Sequence, residues 1–233
     1  LVGKMNLYAV LSAAGMGIPV FLSVRSDPDR EYPSPVQKKL ADVLFRRAAG
    51  VIFQTQEAAE AFPAAVRARA AVLPNALDAS FVRPRYEGPR RPEIVMVGRL
   101  DANKNHEMLL RVFADMQETY PDWRVRIYGG GLHGTGGGSE ENTEPLLRML
   151  VQELGIADKV DFMGRQTHIR EKIEQASVFV LVSDYEGMPN ALLEAMATGL
   201  AVIATDCPCG GPRSVIQNGK NGILIPVGDE QAL

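Results

Sequence analysis

Residues 178–194 read Val178-Phe179-Val180-Leu181-Val182-Ser183-Asp184-Tyr185-Glu186-Gly187-Met188-Pro189-Asn190-Ala191-Leu192-Leu193-Glu194. Five consecutive apolar residues suit a strand covered on both faces. Gly187 and Pro189 break any regular element, which leaves Glu186 in a loop. A helix is expected from about Asn190, whose side chain can cap it, with Glu194 about one turn inside. Strand, short loop and helix in succession form half of a parallel α/β unit.

The same rhythm extends in both directions. Downstream of residue 92, strands are expected near 93–97, 124–128, 160–162, 178–182, 201–204 and 223–225. Helices are expected near 105–119, 140–154, 168–176, 190–198 and 212–217. Upstream, strands fall at 19–24, 50–53 and 70–73, with helices near 3–14, 35–48 and 56–62. Alternation at this spacing predicts an α/β fold with parallel sheets. Residues 83–92, Arg-Pro-Arg-Tyr-Glu-Gly-Pro-Arg-Arg-Pro, hold three prolines and four arginines and read as a linker. The expected domains are therefore 1–82 and 93–233. Three strands in 82 residues are few for a doubly wound domain. The chain opens inside a helix and stops where another is due, so both ends are expected to be missing. The glycine runs at 129–131 and 136–138 read as a mobile loop.

Composition narrows the function classes. Aromatic residues are 6% of the 233, too few to favour base-stacking platforms for nucleic acid. Residues 1–92 carry 13 Lys and Arg against 8 Asp and Glu, and residues 93–233 carry 12 against 20. A basic first part suits an anionic membrane surface or acceptor, and a solvated arginine cluster explains it equally well. Cys207 and Cys209 are two residues apart, which suits reduced thiols and a cytoplasmic setting better than a strained disulfide. Three scattered histidines give no metal-ligand spacing. No run of about 18 apolar residues is present, nor a secretory cleavage pattern.

In open α/β sheets, ligands sit beyond the carboxyl ends of the strands. The loop after 93–97 holds Gly98, which permits a tight exit, and Arg99 and Lys104, two cations able to converge on a diphosphate. The alternative is an exposed basic pair near a helix start. After 178–182, the backbone N–H groups around Asn190 to Leu193, with Leu192 among them, would form an anion site at a helix N-terminus. Glu186 and Glu194, on either side, would accept hydroxyl hydrogens of a polyol phosphate. A capped helix with solvent-facing acids is the plain alternative. Met163, Gly164 and Arg165 end a strand and could hold a flat base through backbone contacts. Arg25 and Asp27 end an upstream strand and could touch the acceptor or a sugar.

The segments VGRLDANKN, VDFMGR, SDYEGMPNALLEAMATGLAVIATDCPCGGP and NGKNGILIPVGD, in this order over 91–233, resemble the large retaining glycosyltransferase family of GT-B architecture. In it, two glutamates enclose seven residues, as Glu186 and Glu194 do. VIFQTQEAAEAF and VLPNALD are similar to the family's last strands before the hinge. SVRSDP, at 23–28, is similar to a subgroup that builds bacterial surface polysaccharides and lipid-linked oligosaccharides. Cys209 is an extra residue in a stretch usually reading Cys-Pro-Gly-Gly-Pro.

The resemblance implies two facing Rossmann-like domains, the first incomplete here. It implies that Arg99 and Lys104 hold the donor diphosphate and Glu194 the ribose. Glu186 would contact the transferred sugar, with loop amides from Gly187 through Met188 and Pro189 to Asn190 nearby. The 163–166 region would hold the base, most often uracil. Transfer to a glycan or lipid-linked acceptor would proceed with retention and without a metal or cofactor, at the inner face of the plasma membrane or in the cytoplasm. An epimerase acting on the donor alone, or a non-catalytic nucleotide-sugar binding module, would share the same architecture.

Overall fold

The computed structural model describes residues 2–131 and 142–233. The second glycine run, 136–138, lies outside the described residues. The chain divides into two compact units. The first comprises Leu1–Ala76, Tyr185–Met188 and Cys207–Ser214. The second comprises Leu77–Asp184, Pro189–Asp206 and Val215–Leu233.

The first unit contains α1 (Val2–Ser12), β1 (Phe21–Val24), α2 (Pro28–Glu31), α3 (Pro35–Phe45), β2 (Gly50–Phe53), α4 (Gln56–Glu60), α5 (Ala64–Arg67) and β3 (Ala70–Val72). Its sheet has the order β1-β2-β3, all parallel. Side-chain caps mark where its helices start. Asp27 accepts from the Asp29 N–H, Ser34 from Gln37 and Thr55 from Ala58, and Pro28 and Pro35 take first-turn positions. The sequence pattern found the strands but not α2 or α5, which are single turns too short for periodicity to register. Phe45, Phe53 and Phe62 centre the core, with Phe45 and Phe62 stacked at 5.1 Å.

The second unit contains β4 (Arg91–Val97), α6 (His106–Met116), β5 (Arg124–Tyr128), α7 (Glu144–Glu153), β6 (Val160–Gly164), α8 (Ile169–Ile173), β7 (Ala176–Leu181), α9 (Asn190–Ala197), β8 (Ala201–Thr205) and β9 (Ile223–Ile225). The strands form one parallel sheet in the order β6-β5-β4-β7-β8-β9. Alternate residues of each strand enter different cores. Ile94, Met96, Val180 and Val182 pack with Leu110 and Phe113 of α6 and Leu147 and Val151 of α7. Val95, Phe179 and Leu181 pack with Leu192 and Ala195 of α9 and Ile173 of α8. Helices on both faces explain why the β7 segment is apolar throughout.

Two local expectations are corrected. No helix forms over 212–217; residues 211–215 make turns instead. Pro212 lacks a backbone donor, and the Asn221 side chain accepts from the Gln217 N–H and donates to the Val215 carbonyl. The helix expected from 168 to 176 spans only Ile169–Ile173. The arginine-rich segment 83–90 forms no helix or strand, yet it is fastened to the second unit. Arg90 donates to the carbonyls of Glu174, Ala176, Thr198 and Gly199, which lie at the carboxyl ends of α8 and α9 or just past them. Among the described residues, no helix is long and apolar enough to cross a membrane.

Candidate functional site

In the second unit, successive connections run to one side of β4 through β5 and β6, and to the other through β7, β8 and β9. The change of direction falls between β4 and β7, where parallel α/β sheets bind ligands at the strands' carboxyl ends. A cavity of about 460 Å³ opens at the exits of β4, β5 and β6, lined by Gly98, Arg99, Gly129, Gly130, Arg165 and Gln166 among others. Backbone bonds stitch these exits together: Gly98 N–H donates to the Tyr128 carbonyl and Gly129 N–H to Gly164, both at 2.9 Å. Gly129 has φ of +152°, and a Cβ there would lie 1.7 Å from the Gly98 oxygen. No other residue fits so close a crossing of two chains.

Gly98 and Arg99 line this cavity, and Lys104 packs its stem beside Gly98. The Lys104 stem lies 3.7 Å from where a Cβ on Gly98 would stand. Arg99 Nη2 is 3.1 Å from Oδ2 of the buried Asp101. Asn105, at φ +49°, caps α6 by accepting from the Met108 N–H. It also donates to Asp184 Oδ1 at 3.4 Å, and Asp184 N–H donates to the Asn103 carbonyl at 2.9 Å. The loops leaving β4 and β7 thus brace each other. His106, the first residue of α6, is 2% exposed, and neither ring nitrogen has a hydrogen-bond partner among the described residues. Burial, then the Lys104 charge, pushes its pKa down to about 4, so it is neutral at pH 7.

Met163, Gly164 and Arg165 leave β6 beside the same cavity. Gly164 has φ of +64°, and the Met163 carbonyl accepts from Gln166 Nε2 at 2.6 Å. At α9, Pro189 occupies the cap position and Asn190 is the first helical residue, without a side-chain cap bond. The expectation that Asn190 caps the helix is therefore corrected: Pro189 already has the extended conformation a cap requires. The Leu192 and Leu193 amides donate to the Pro189 carbonyl, and the Leu192 side chain is fully buried. Glu194 is half-buried, and its pKa is raised by burial and then by the Asp78 carboxylate. Asp78 itself caps a short turn by accepting from the Ser80 N–H at 2.8 Å.

Glu186 and Gly187 lie in the Tyr185–Met188 loop of the first unit. Arg30 stands 4.9 Å over the Tyr185 ring. Arg25 reaches Asn75 Oδ1 at 3.0 Å. Asp27 is 7% exposed, caps α2, and accepts from Cys209 Sγ at 3.4 Å. Cys209 takes a left-handed conformation at φ +70°, and Cys207 is buried. Sequence reasoning missed Asp101, His106, Gln54 and Asn75. Gln54 and Asn75 did carry a signal, as polar residues standing just beyond apolar strands.

A family model described as "Glycosyl transferases group 1" matches residues 82–233. The chain is 36% identical over 166 residues to an exopolysaccharide phosphotransferase, SCO2592, of Streptomyces coelicolor, covering 71% of this chain and 16% of that protein. It is 29% identical over 140 residues to an N-acetylgalactosaminyltransferase of Campylobacter jejuni acting on a diphospho-undecaprenol substrate, covering 60% and 34%. The Anabaena HepE structure in complex with UDP superposes with a TM-score of 0.82 at 20% identity, over 99% of this chain and 64% of that one. The fold is the parallel α/β fold of the GT-B glycosyltransferases. The chain spans between about a sixth and a half of the length of the first curated relatives it matches.

Proposed function

From the premise that this chain belongs to the group 1 glycosyl transferases, we propose that it carries the donor-binding part of an enzyme that moves a hexose or N-acetylhexosamine from a UDP-sugar to a glycan or lipid-linked acceptor. The observation that supports the reading is a cavity at the sheet's change of direction that Gly98 and Arg99 line, with the Lys104 stem packed beside Gly98. Two cations at one glycine exit suit a diphosphate. The base lies against Gly98, Met163, Gly164 and Arg165 in this reading, and Glu194 accepts from ribose hydroxyls. Glu186 meets the transferred sugar, as the resemblance of its motif implies.

In the reaction, the bond from the anomeric carbon to the diphosphate oxygen breaks and the diphosphate takes the electron pair. Arg99 and Lys104 stabilise the charge that grows on it, which supports a reaction without a metal. The acceptor hydroxyl oxygen bonds to the anomeric carbon and its proton passes to the departing diphosphate, with configuration retained. In this reading the enzyme works in the cytoplasm, at the membrane's inner face. The excess of Lys and Arg in residues 1–92 and the exposed Met5, Tyr8 and Leu11 of α1 support that placement.

Calorimetry with UDP tests the donor site. Lys104→Ala and Glu194→Ala are each expected to weaken binding about tenfold or more. Wild-type affinity in both variants refutes the assignment. Turnover that persists in EDTA is expected, and its loss would exclude the metal-free route.

A further inference from the structure

The loop carrying Glu186 has its backbone gripped by two side-chain amides that the proposed reaction does not use. Gln54 directly follows β2, and Asn75 stands three residues past β3. Met188 donates its N–H to Gln54 Oε1 at 3.2 Å, and its carbonyl accepts from Asn75 Nδ2 at 3.0 Å. Gln54 Nε2 in turn donates to Asn75 Oδ1 at 2.5 Å. The Arg25 guanidinium donates to that same oxygen. These bonds set the orientation of both amides, because turning either one would oppose donor to donor and acceptor to acceptor.

Gln54 and Met188 are both 6% exposed, so water does not compete for the bond between them, while the bonds of Asn75 to each are part-buried. A loop has no ladder or helix to satisfy its backbone, and here two side chains do so for both polar groups of one residue. Gly187 adds a steric condition. A Cβ on it would lie 2.2 Å from the Arg25 carbonyl oxygen and 2.5 Å from Gln54 Oε1. The residue next to Glu186 therefore has no room for a side chain while the grip is closed.

We infer that Gln54 and Asn75 are positioning residues that hold the Tyr185–Met188 loop, and through it Glu186, for the sugar end of the reaction. The inference rests on the proposed assignment of Glu186 to the transferred sugar. Neither amide need touch substrate. A misplacement of about 1 Å in a reacting group can cost on the order of a hundredfold in rate. Affinity for the nucleoside diphosphate, assigned to Arg99, Lys104 and Glu194, stays independent of the grip.

The test compares Gln54→Met and Asn75→Leu with wild type in the full-length protein; both keep side-chain bulk, and either alone opens the grip if the other does not fold. Amide exchange of the Met188 N–H, UDP affinity, and kcat and KM for sugar transfer are measured. Expected are exchange faster by about tenfold, kcat lower by roughly tenfold to a hundredfold, and a UDP Kd within about twofold of wild type. Wild-type exchange and kcat overturn the inference, as does a UDP affinity that falls in step with kcat. Exchange requires no turnover: a wild-type protein that fails to bind UDP counts against the donor-site reading, while the exchange rates still decide the grip.

Discussion

Arg99 and Asp101, two residues apart, form an ion pair of 3.1 Å in which the carboxylate is buried and the guanidinium is about two-fifths exposed. A buried carboxylate cannot easily lose its cationic partner. The pair therefore ties the guanidinium of a cavity-lining residue to a buried anchor.

Asp101→Asn removes the anchoring charge and keeps the side-chain shape. UDP affinity, read by calorimetry, is expected to fall by roughly fivefold, in line with ~1 kcal/mol for a solvent-screened pair. Unchanged affinity would show that Arg99 is oriented by other contacts.

Gly129→Ala places a methyl group 1.7 Å from the Gly98 oxygen at a φ of +152°. Relief requires the β4 and β5 exits to separate at the cavity floor. Denaturant unfolding is expected to show a loss of about 3 kcal/mol or more, and UDP binding should weaken with it. A variant as stable as wild type would mean that the two exits part without cost.

His106 is expected to contribute to the loss of stability on the acid side. Its folded pKa, about 4, lies below the ordinary 6.5, so between those values the unfolded chain binds more protons than the folded one. Stability from this group is full above pH 6.5 and is lost as pH falls toward 4, on the order of 3 kcal/mol in all. His106→Gln should flatten that part of the pH–stability curve. An unaltered slope would place the proton uptake elsewhere.

Glu31 works in the opposite direction. Burial raises its pKa to about 7 from 4.5, and Oε2 has no hydrogen-bond partner among the described residues. The folded state here binds more protons, so the contribution is full below pH 4.5 and is lost as pH rises toward 7. Glu31→Gln should stabilise the protein at pH 8 by about 1–3 kcal/mol and have little effect at pH 4. Equal melting temperatures for variant and wild type at pH 8 would contradict this.

Much of this architecture was written in local pattern. The apolar run at 178–182 identified a strand covered on both faces, because alternate side chains need apolar neighbours on each side of the sheet. Glycine at 98 and 164 marked strand exits, since these turns demand backbone freedom or tight approach. The approach of Lys104 to the strand exit was legible too: a short turn before a helix start brings its stem back beside Gly98. The failures were also local. Asn190 resembled a cap in composition, but Pro189 already held the cap conformation.

The sequence by itself determined the parallel α/β class and its strands, because periodicity and short-range sterics act within a few residues. Tertiary structure alone decided how Glu186 is held. Gln54 and Asn75 lie more than a hundred residues before Met188 in the chain. Their places just beyond apolar strands mark both amides as candidates, but only folding brings them within bonding distance of Met188. The motif that named the loop could not say what holds it, since hydrogen bonds between distant residues leave no trace in spacing.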